Sequence, residues 1–130
     1  MSYRLVVKGP LMTLEDWRAR MDEIDEAIVR LLNERAACAV AIGHIKRRDG
    51  IEVYQPDRER YVVERVRALT IRMGGSLGPA AIGRLFERII DEARGLELAH
   101  RAAANADDKA GVDGQAQIRQ AAPDSSARKP

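Results

Sequence analysis

One cysteine, Cys38, and two histidines are all that these 130 residues offer toward disulfide or metal chemistry. A single thiol excludes an intrachain disulfide, and neither CxxC nor HExxH spacing is present. Neither charge sign dominates: 22 Lys+Arg against 20 Asp+Glu leave +2, which provides no global basic field for nucleic acid. No apolar run approaches the roughly 18–20 residues of a membrane span, and the opening MSYRLVVKGP lacks the apolar centre of a signal segment. Aromatic residues make up only 4% of the chain. What is present is 45% hydrophobic and 32% charged, too apolar for disorder and suited to a helical chain rich in Ala, Leu, Ile, Arg and Glu. The composition implies one small all-α domain, soluble and cytoplasmic, with no metal, no cofactor, no membrane and no nucleic acid.

The first twelve residues read as an extension in which RLVVK, residues 4–8, has strand character with nothing to pair against. Thr13 with Asp16 three positions later forms a variant capping box that opens a helix. From there Leu14, Trp17, Met21, Ile24, Ile28, Leu31, Cys38, Ile42 and Ile45 alternate at three- and four-residue spacing, one continuous apolar stripe. A helix over 13–48 is roughly 50 Å long. One small globule cannot cover that length, so the stripe requires long partner helices, some from a second chain. Arg47-Arg48-Asp49-Gly50 supplies a basic last turn and a Gly stop. Pro56 opens a second helix, with Val62, Val66, Leu69 and Met73 on its apolar face and Gly74-Gly75 as its end. Pro79 opens a third, with Ile82, Leu85, Phe86, Ile89, Ile90, Ala93 and Leu96 facing the core. The apolar pattern fades near residue 100, and the turn-forming composition of 102–130 predicts a disordered tail. The folded domain is expected over 13–101.

Four ionisable residues continue these apolar stripes. Arg35 stands where the first helix calls for an apolar residue between Leu31 and Cys38. Lys46, eleven residues on, lies about 20° away around the helix. Arg58 is one turn before Val62, and Glu97 one turn past Ala93. Taken singly, each has an ordinary explanation: an Arg that snorkels or pairs with Glu34 or Asp25, a Lys that complements the helix dipole, a solvent-facing Glu. Together, three cations with too few anions on the same faces imply a bound anion carrying one or two carboxylates, gripped by Arg forks. Arg18 is about 25 Å along the helix from Arg35, so any part it takes is in the site of another subunit.

These residues resemble the all-helical class of chorismate mutase. The likeness runs through MDEIDEAIVRLLNERAACAVAIGHIKRRDGIEVYQPDRERYVVERV, with an early Arg, I-D, L-L-x-E-R, I-G-x-I-K and P-x-R-E-R, and continues in LFERIIDEARGLE, covering about residues 14–100. The resemblance implies three helices per chain intertwined as a homodimer, with two equivalent sites across the interface. By position, Arg35 and Arg58 hold substrate carboxylates, joined by Arg18 from the partner chain. Lys46 meets a carboxylate and the ether oxygen of the breaking bond, and Glu97 lies on the far side of that oxygen. Glu59 accepts from the ring hydroxyl, helped by the backbone around Gln55. Ala93 stands where some members carry a Ser that contacts a carboxylate, so that hydrogen bond is missing here. Asp25 matches a recurrent Asp that orders the arginines.

The implied reaction is the Claisen rearrangement of chorismate to prephenate in aromatic amino-acid biosynthesis. It needs a substrate folded into a chair-like conformer and stabilisation of charge growing on the ether oxygen. Removing about 8 kcal/mol of barrier gives a million-fold acceleration. A carboxylate beside the growing negative charge would oppose the reaction, so Glu97 is expected to act protonated, as a donor. On the same fold, an isochorismate pyruvate lyase or a mutase of 4-amino-4-deoxychorismate needs nearly the same cations. A rival of another class is a non-catalytic helical interaction module, which would tolerate loss of Arg35 or Lys46. The basic residues of 46–72 interleave with Asp49, Glu52, Asp57, Glu59 and Glu64, the pattern of a solvated helix surface rather than a nucleic-acid face.

Overall fold

Thr13 caps the first helix as its spacing predicts: its backbone N–H donates to Asp16 Oδ2 at 2.9 Å, and its hydroxyl accepts from the Asp16 N–H at 3.1 Å. These bonds hold the Asp16 carboxyl below its ordinary range, the backbone N–H of Thr13 contributing most. The computed structural model describes the backbone of residues 11–120 and side chains as far as residue 116. Three helices follow in order: α1 (Leu14–Arg48), α2 (Pro56–Met73) and α3 (Pro79–Gln120). No strand occurs among the described residues. The RLVVK segment lies outside them.

α1 and α2 each end for a chemical reason. The Asp49 N–H returns to Ile45 O at 2.9 Å, and Gly50 takes a positive φ of 68°; Lys46, Arg47 and Arg48 fill the last turn of α1, where cations meet the carbonyl end. Gly74 closes α2 in the left-handed region at φ 65°, bonded to Thr70 O and Ile71 O.

α3 packs against both α1 and α2. The interior is thin: of the apolar residues described, only Ala39, Val53, Val66 and Ile90 are buried. Between α1 and α3 the approach is close at Gly43, where a Cβ would come within 3.3 Å of Glu97 Cγ. Among the described residues the front half of α1 has no such close neighbour. Leu14, Met21 and Leu31 remain 61%, 62% and 58% exposed, and Ile24 and Ile28 stand out beside them.

The disordered tail expected from residue 102 is corrected in part: α3 runs on to Gln120. Two causes are visible. Ala102, Ala103, Ala104 and Ala106 favour helix regardless of amphipathic pattern. Arg47 of α1 ties the extension down, donating to Asn105 Oδ1 at 3.2 Å and pairing with Asp108. Residues 121–130 lie outside the described residues. No helix among those described is long and apolar enough to cross a membrane.

Candidate active site

The second half of α1, the 49–55 loop, the first turn of α2 and the middle of α3 enclose a cavity of about 300 Å3. Into it converge Arg35 and Lys46 from α1, Gln55 from the loop, Arg58 and Glu59 from α2, and Ala93 and Glu97 from α3. Ile42, Val53, Val62 and Ile90 supply apolar wall. Of the eight residues singled out in the sequence, Arg18 alone is elsewhere, exposed on the first half of α1. Asp25 is exposed on that same half.

Lys46 and Glu97 are not surface charges. Their side chains are 16% and 10% exposed, and Lys46 Nζ donates to Glu97 Oε2 at 3.1 Å and to Val53 O at 2.9 Å. A buried carboxylate with a direct ammonium partner is the arrangement that burial demands of charged groups. The second bond anchors the loop to α1. Arg101, on α3, donates to Ile51 O at 2.9 Å and holds the same loop from the other side. Gln55 therefore enters the cavity from a segment fixed at two backbone carbonyls.

Arg94 was not anticipated. It lines the cavity one residue past Ala93 and grips Glu59 with a two-point fork, Nε to Oε2 at 3.1 Å and Nη2 to Oε1. This fork keeps the guanidinium even more basic than usual, with the Glu59 hydrogen bond as the main cause. A signal existed: Ile90, Arg94 and Glu97 follow one another at four and three residues, so Arg94 interrupts an apolar stripe as Arg35 does.

The charge balance follows. Arg35, Lys46, Arg58 and Arg94 bring four positive charges, and Glu59 and Glu97 bring two negative ones, leaving an excess of two. Both carboxylates are already engaged, by Arg94 and Lys46. Arg35 and Arg58 have no carboxylate partner among the described residues; Arg58 lies over the Tyr61 ring, 5.0 Å from its centroid. Such a site complements a dianion small enough for the cavity.

Three helices around a pocket that holds two guanidinium groups without a carboxylate partner among the described residues define an all-helical protein with a cationic cavity. Its lineage is specific: a profile described as chorismate mutase type II matches residues 17–98, and the chain belongs to that family. Over 85 residues it is 38% identical to a bifunctional chorismate mutase/prephenate dehydratase of Aquifex aeolicus (strain VF5), covering 65% of this chain and 24% of that protein. A protein of the same description from Neisseria gonorrhoeae (strain ATCC 700825 / FA 1090) is 40% identical over 80 residues, 62% of this chain and 21% of its own length. The chorismate mutase of Methanocaldococcus jannaschii is 39% identical over 56 residues, 43% of this chain and 57% of its own. The chain thus spans about a quarter of the length of the bifunctional relatives it matches.

Proposed function

We propose that this protein is a chorismate mutase, converting chorismate to prephenate by Claisen rearrangement in a site shared between two copies of the chain. The observation that carries this reading is the excess of two positive charges around the cavity, residing on Arg35 and Arg58. Chorismate is a dicarboxylate. Its two carboxylates each take one guanidinium fork, which fixes the distance between the enolpyruvyl arm and the ring and so the folded conformer. Within that conformer one carbon–oxygen bond breaks as one carbon–carbon bond forms, and no atom leaves or enters. Negative charge grows on the ether oxygen. Lys46 has a third N–H beyond those given to Val53 and Glu97, and directs it there. Glu97 is the carboxylate partner of Lys46; the two carboxylates of the bound substrate favour its neutral form, which donates from the opposite side, and Glu59 accepts from the ring hydroxyl. The apolar walls lower the local polarity and strengthen each contact.

The homodimer is supported by the bare half of α1. At about 2 kcal/mol per large apolar side chain, covering Leu14, Trp17, Met21, Ile24, Ile28 and Leu31 contributes on the order of 10 kcal/mol, comparable to the general cost of association. A partner laid along this stripe carries Arg18 to a cavity that its own chain cannot reach. The test is a chorismate-consumption assay on the purified chain, together with its mass in solution. Prephenate from a dimer is expected. Salicylate and pyruvate from isochorismate, with chorismate untouched, would replace this reading with a lyase, and inertness toward both would return the chain to an interaction module.

A further inference from the structure

Glu59 is the acid that the proposed function turns toward the ring substituent of the substrate, and its charge is not free. Arg94 binds both of its oxygens in a fork. The guanidinium is itself held in place, with Nη2 3.2 Å from Asp91 Oδ1 and the plane over Tyr54, 5.1 Å from the ring centroid. Arg94 and Glu59 are 29% and 22% exposed, whereas Asp91 is 54% exposed. Water therefore screens Asp91, which orients the guanidinium without cancelling it, while the Arg94–Glu59 pair interacts at closer quarters.

We propose that Arg94 sets the substrate choice of this subsite: by neutralising Glu59 it makes the subsite select a neutral hydroxyl over an ammonium on the ring. The inference rests on the chorismate mutase reading, in which Glu59 faces that substituent. A carboxylate oxygen in a fork keeps a lone pair and still accepts from a hydroxyl. What it loses is net negative charge. An ammonium entering here would exchange its hydration for an already balanced ion pair, with a guanidinium close behind it. A free Glu59 would instead favour the ammonium. Arg94 is thus a positioning and specificity residue acting through Glu59, one that decides between two substrates whose carboxylates are held by the same cations.

The test compares kcat/KM for chorismate and for 4-amino-4-deoxychorismate in the wild type, Arg94→Gln, Glu59→Gln and the double variant. Wild type is expected to prefer chorismate. Arg94→Gln leaves the subsite negative, and the preference should fall by about tenfold or more. Glu59→Gln leaves it positive and should move the ratio the other way, a readout that holds even if Arg94→Gln does not fold. The double variant is again neutral and should return toward the wild-type ratio, although its absolute rate is lower. A purely structural role for Arg94 would lower both rates without moving the ratio. An active wild type whose ratio is unchanged in both single variants overturns the inference alone; a wild type inert on both substrates overturns the chorismate mutase reading and this inference with it.

Discussion

Lys46 Nζ and Glu97 Oε2 stand 3.1 Å apart across the contact between α1 and α3, and both side chains are largely buried. Each satisfies the other, so removing one strands a charge. Lys46→Ala is expected to destabilise the protein by about 3 kcal/mol, in addition to losing orders of magnitude in turnover. Replacing both, as Lys46→Met with Glu97→Leu, should recover most of the stability and none of the activity. Denaturant unfolding at a fixed protein concentration, beside a turnover assay, separates the two effects. Full stability in Lys46→Ala alone would show that the pair contributes nothing to folding.

In the proposed mechanism Glu97 donates to the ether oxygen. Glu97→Gln keeps a donor at that position and should retain a substantial part of the turnover, whereas Glu97→Ala, which has none, should lose orders of magnitude. Equal losses in the two variants would remove the donor role from Glu97.

Gly43 is where α1 comes closest to Glu97, and a methyl there would lie 3.3 Å from Glu97 Cγ. Gly43→Ala gains about 1 kcal/mol of helix propensity, which offsets the crowding, so the melting temperature should move little. The carboxyl must shift by a few tenths of an ångström, and kcat should drop severalfold with KM less affected. A loss of stability with kcat intact would place the strain elsewhere.

Arg47 reaches Asn105 and Asp108 on the extension of α3. Arg47→Ala should accelerate amide exchange over residues 105–116 and leave chorismate turnover within about twofold, because Arg47 does not line the cavity. Unchanged exchange would mean that alanine propensity alone sustains the extension.

Much of this was legible in the residues themselves. Thr13 with Asp16, Pro56, Gly74 and Pro79 act through local geometry, so the helix ends can be read from type and spacing. Arg35, Lys46, Arg58 and Glu97 were visible because each breaks an apolar stripe. Arg94 breaks one too, but adjacent Ala93 and Leu96 accounted for that face, and its partner Glu59 lies 35 positions away. The carbonyls of Ile51 and Val53, which hold the loop, have no sequence signature. Past residue 100 the lack of an apolar stripe suggested disorder, whereas alanine content and one arginine clamp keep the helix going.

Whether two chains build each site can be measured directly by complementation. Arg18→Ala and Arg58→Ala should each be nearly inactive alone. Unfolded and refolded together in equal amounts, they should recover roughly a quarter of wild-type activity, since half of the dimers are mixed and each of those holds one intact site. No recovery on mixing, or full activity in Arg18→Ala by itself, would contradict a cavity completed by a second subunit.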